Sequence, residues 1–87
     1  MAKVTRSMLD SAFNTLSKQI SEVLTEADNG FTASGLRTYQ RLGSYMDEIT
    51  SLYLAVDSNG NVEKDEFDRR SLAVQNIITT AGDSGND

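Results

Sequence analysis

The stretch TRSMLDSAFNTLSKQISEVLTEA, residues 5–27, decides the fold. Its apolar side chains Met8, Leu9, Ala12, Phe13, Leu16, Ile20, Val23, Leu24 and Ala27 step by threes, fours and ones, which is the spacing of one helical face. Asn14, Lys18, Ser21, Glu22 and Thr25 fill the opposite face, where Lys18 and Glu22 stand four apart and can pair. Thr5 or Ser7 can cap the start, and Ser7 with Asp10 reads as a capping box. Asp28-Asn29-Gly30 ends the helix, with Gly30 placed for a left-handed closing residue.

Working outward, Thr32 and Ser34 offer the next cap, and a second stripe follows at Leu36, Tyr39, Leu42, Met46, Ile49, Tyr53 and Val56. This predicts a helix over 35–56, crossed by Gly43 at the edge of the stripe, where a glycine would let a neighbouring helix approach closely. Asp57-Ser58-Asn59-Gly60-Asn61 is the clearest turn. Asn-Gly between apolar runs also suggests a hairpin. Glu63-Lys64-Asp65-Glu66, however, has no alternating apolar face, so a third helix over 62–81 is expected instead. Asn61 would cap it, and its stripe is Phe67, Val74, Ile77, Ile78 and Ala81. Asp65–Arg69 and Glu66–Arg70 are pairs in the favourable order along it.

The reading is an all-α chain: a small antiparallel three-helix bundle, or a helical hairpin plus third helix, in one domain over 1–82, followed by a polar tail over 83–87. With 87 residues the core is small, so association is the expected remedy for a thin stability margin. Eight Lys and Arg against 13 Asp and Glu leave a net charge of −5, which opposes direct nucleic-acid binding. The imbalance is uneven. Residues 1–24 carry a net +1 and residues 62–87 a net −3. No signal-peptide pattern opens the chain and no apolar run reaches membrane-spanning length, so the expected setting is the cytoplasm or the interior of a viral particle.

Chemistry is limited by what is missing. With no Cys and no His there is no thiol nucleophile, no zinc–thiolate site and no imidazole base, and no cofactor is expected. Adjacent carboxylates such as Asp47 and Glu48 diverge around a helix and do not converge on a substrate. The loop from Asp57 to Glu66-Phe67 resembles a calcium-binding helix-loop-helix of the EF-hand type. Asp57, Asn59 and Asn61 take its first three ligand places, while Glu66 falls at the tenth place and not the twelfth. Aligned from Glu66 instead, Ala55 occupies the first ligand place, so either register departs from the pattern.

The residues that point to a partner are of two kinds. Tyr45, Leu52, Leu54 and Leu72 lie off or at the far edge of their stripes, which marks them for a contact surface. Arg37, Arg41 and Arg70 would orient it, since arginine suits bidentate recognition. The expected function is therefore a small, acidic, non-enzymatic helical module that packs against itself or a larger protein. Its size and composition are of the type found among short virus-borne (phage) structural or accessory proteins. A second reading is an acidic inhibitor that uses Glu63, Asp65, Glu66 and Asp68 to mimic a phosphate backbone and block a nucleic-acid-binding protein. A third is calcium binding at Asp57, Asn59, Asn61 and Glu66.

Overall fold

The computed structural model describes residues 4–85, with side chains as far as residue 81. Its elements are α1 (Arg6–Glu26), α2 (Ala33–Tyr53), α3 (Lys64–Asp68) and α4 (Leu72–Gly85), an all-α chain without strands among the described residues. Helix α1 is the central member: it packs along both α2 and α4, which barely touch one another. The body measures 45 × 28 × 19 Å.

The two long helices follow from their caps. Thr5, in extended backbone, accepts from the Met8 amide at 3.3 Å and starts α1. Of the two candidate caps it is therefore Thr5, and Ser7 and Asp10 lie within the helix. Lys18–Glu22 is not among the ion pairs of the described residues. At the other end Gly30 takes φ 110°, a conformation that costs glycine nothing, and its amide donates to the Ala27 carbonyl. Thr32 then accepts from the Gly35 amide at 3.0 Å, so α2 begins two residues earlier than the stripe implies. It ends at Tyr53 because the amides of Leu54, Ala55 and Val56 fold back on carbonyls three residues earlier, tightening the chain out of the α-helix.

The turn at 57–61 joins both of the alternatives that its sequence offers. Val56 and Val62 form an antiparallel bridge across it, with Gly60 at φ 81°. The hairpin is therefore real but only one pair long, because nothing after Val62 continues an alternating face. A second bridge links Thr5 to Asn61, and the Val62 and Arg6 amides donate to the carbonyls of Val4 and Gly60. Asn61 is thus engaged in bridging and does not cap α3, whose N-cap is Glu63.

The single helix expected over 62–81 is two helices. Ser71 Oγ accepts from the Val74 amide at 3.2 Å and starts α4 afresh. The Gln75 side chain reaches back to donate to the carbonyls of Phe67 and Arg70, closing α3. The apolar stripe is blank between Phe67 and Val74, so no buried face holds a continuous helix across 69–71. The expected Asp65–Arg69 pair is replaced: Arg69 turns to Glu66 at 3.1 Å, Arg70 reaches Glu66 at 3.4 Å, and Lys64 pairs with Asp68. Helix α4 continues to Gly85, so residues 83–85 are helical; Asn86 and Asp87 lie outside the described residues.

Ten apolar residues form the buried core: Val4, Leu9, Ala12 and Leu16 at and before α1, Leu42, Ile49 and Leu52 on α2, and Val74, Ile78 and Ala81 on α4. Leu52 corrects the sequence reading. Its place at the edge of the stripe points to an exposed partner surface, yet it is fully buried. It stands three residues from Ile49 and joins it in the buried core cluster. Gly43 is also corrected. Nothing lies within 4 Å of the place a Cβ would take, so no neighbouring helix exploits it.

Two outcomes are expected in urea unfolding. Leu52→Ala should cost about 2–5 kcal/mol, the range for a leucine truncated in a close-packed core, while Leu54→Ala stays within about 0.5 kcal/mol. Gly43→Ala should stabilise by about 0.5–1 kcal/mol, because α2 gains helix propensity with no clash.

Candidate functional site

The residues singled out in the sequence divide between the two ends of α2. At its C-terminal end, Leu54 is 89% exposed beside a shallow depression of about 360 Å³ lined by Ser51, Ala55, Glu63 and Glu66. Leu72, 73% exposed, opens α4 close by, where Ser71 Oγ meets Glu48 Oε2 at 3.5 Å. Arg70 is partly buried there; Glu66 takes its Nη2, while its Nε is buried with no protein partner. Arg37 and Arg41 stand near the other end, exposed, with Arg37 Nε donating to the Ala33 carbonyl of its own helix. About 20 Å of helix separates Arg41 from Leu54 at 1.5 Å per residue. Tyr45, between them, is packed against the core and Leu52 is within it, so neither presents a free face.

The hairpin tip carries the feature that sequence periodicity misses. Helix α4 has 14 residues against 21 for α1 and α2, about 21 Å against 31 Å. Its Ile77, Thr80 and Ala81 lie beside Thr15 and Gln19 of α1. At the tip the cleft between α1 and α2 holds a groove of about 310 Å³. Val23, Ala27, Phe31 and Gly35 line it, with Glu26, Thr32, Ser34 and Thr38. Phe31, which lines it, remains 42% exposed and its ring tilts against Tyr39 at 5.6 Å between centroids, while Leu24 and Leu36, outside the lining, are 48% and 43% exposed. Leu24 and Leu36 sit on their stripes and so read as core, yet both remain exposed.

The loop that resembles a calcium site is occupied by its own backbone. Asp57 Oδ1 accepts from the amides of Asn59 and Asn61 at 2.8 and 3.0 Å, the self-bonded turn that Asp favours. Glu66 spends both oxygens on Arg69 and Arg70. Among the described residues no three His, Cys, Asp or Glu side chains are grouped to hold a metal ion. The acidic run of α3 is likewise engaged: Asp68 holds Lys64, raising its amine pKa through that hydrogen bond, and Glu66 holds two arginines.

One further polar constellation joins α1 to α2. Tyr53 donates to Asp10 Oδ1 at 2.6 Å, and its ring meets Phe13 edge-on with centroids 6.3 Å apart. Burial, the hydrogen bond and the Asp10 charge all push the phenol well above the usual tyrosine range, with Arg6 opposing them. The group is thereby held as a protonated donor that fastens two helices.

Comparison with protein-family models, with curated proteins and with solved structures finds no match for this chain. No helix among the described residues is long and apolar enough to cross a membrane.

The Tyr53 geometry sets a pH dependence. Its folded value is raised, so its contribution is complete below the unfolded tyrosine value of about 10 and is lost as the pH climbs through the folded value. The wild-type advantage over Tyr53→Phe in urea unfolding should be constant from neutral pH to about 9 and shrink above 10. An advantage that is flat through alkaline pH would contradict the bond.

Proposed function

We propose that this protein is a small, non-enzymatic helical interaction module, working as a component of a larger assembly such as a virus particle. The observation that carries the reading is the disposition of its apolar side chains. Ten are buried, while Phe13, Leu24, Phe31, Leu36, Leu54 and Leu72 each keep more than a third of their surface in water. Scattered single leucines need no explanation, but the half-exposed Phe31 lines an open groove at the tip with Val23 and Ala27, the arrangement that marks a contact surface. Leu54 and Leu72, which the sequence marks for a partner surface, support a second contact region at the opposite end.

The chemistry of the chain supports the same side of the choice. It has neither His nor Cys, and the tyrosine best placed to act on a proton is locked to a carboxylate. The nucleic-acid-mimic reading draws less support, because α3 neutralises Asp68 and Glu66 with its own lysine and arginines. A mimic needs those charges unspent.

The test is positional. A photo-crosslinking residue placed singly at Leu24, Leu36, Leu54 and Leu72 in the whole chain, in its native cell extract, should give protein adducts. The same residue at Asn14 or Lys18, on the exposed polar face of α1, should give few. Equal yields at both sets of positions would sink the reading.

A further inference from the structure

The groove at the hairpin tip has walls of opposite charge. On α1, Glu22 and Glu26 stand one turn apart, and Glu26 lines the groove directly. On α2, Arg37 and Arg41 each follow a groove-lining residue, Ser34 or Thr38, by three positions, so they rise along the other rim. Each wall is a like-charge pair at i,i+4, which is mildly destabilising in isolation. Among the described residues every ion pair lies within 64–70, so none of these four charges is neutralised by the chain itself. Between the walls lies the apolar floor of Val23, Ala27 and Phe31.

An acidic edge and a basic edge either side of an apolar floor make a self-complementary surface. A two-fold rotation about an axis running along the groove sets the acidic wall of one copy on the basic wall of the other, twice over. The same operation places α1 of one copy antiparallel to α2 of the next and covers both floors. We propose that a second copy of this chain docks on the tip in this way, Glu22 and Glu26 of each meeting Arg37 and Arg41 of the other. This rests on the interaction-module reading and names its partner.

Sedimentation of the full chain over a range of concentrations tests it. The expected mass rises to about 19 kDa, twice the 9.5 kDa of one chain. Glu26→Arg and Arg37→Glu, both at exposed positions, should each keep native helicity and each weaken association by about tenfold or more, because each opposes like charges at two symmetric contacts. Mixed one to one, the two variants should associate again. In the mixed pair the two substituted side chains face each other with their charges exchanged at one contact, and the native Glu26 and Arg37 face each other at the second. Only pairing between copies predicts that rescue. A wild-type chain that stays at 9.5 kDa into the millimolar range, or a mixture no stronger than its parts, overturns the proposal. Crosslinks from Phe31 separate the failures: adducts to a foreign protein without a two-chain product defeat self-docking alone, and no adduct at all defeats the interaction reading as well.

Discussion

The arrangement depends on the backbone clamp at the base of the molecule, where the segment before α1 pairs with the turn after α2. Val62 donates to Val4, Arg6 donates to Gly60, and Thr5 bridges Asn61. These bonds fix where α1 starts relative to the end of α2. Since α1 is the one helix that packs along both others, its placement sets the level of α4 as well. Val4, outside any helix, is buried by the same pairing and closes the floor of the core. The Tyr53–Asp10 bond repeats the fastening one turn higher.

What is legible in the sequence is what local chemistry decides. The two long stripes, the threonine caps and the left-handed Gly30 follow from spacing and side-chain hydrogen bonding that act within a few residues. The break between α3 and α4 is within reach, because a stripe with no apolar member between Phe67 and Val74 and a Ser-x-x position before Val74 is a restart signal. Reading it requires weighing Ser71 and Gln75 against the favourable ion pairs that suggest continuity. Charge spacing misleads there, since exposed pairs of that kind contribute only a few tenths of a kcal/mol.

The contact surface is legible only in part, and the reason is geometric. Periodicity tells which face of a helix is apolar; it does not tell what covers that face. Leu24 and Leu36 belong to their stripes and yet remain nearly half exposed. Leu52 stands at the edge of its stripe and is buried in the core cluster beside Ile49. Leu54 and Leu72 are visible as exceptions because they point away from every neighbour. A partner surface made of stripe residues therefore needs the packing of the helices before it can be recognised.

The clamp has a kinetic side. Val4 and Val62 are about sixty positions apart, so their hydrogen bond, like the packing of α4 along α1, closes much of the chain into a loop. Local contacts of the α1–α2 hairpin can form in microseconds, whereas contacts of such high sequence separation wait for distant segments to meet. Loop closure grows costly only with the logarithm of length, so the delay is modest once the hairpin has shortened the distance. The order that results is hairpin first, with the base and the docking of α4 after it. In the folded protein the same order runs backwards: amides of the base, at Arg6 and Val62, open and exchange with solvent before those of mid-α1.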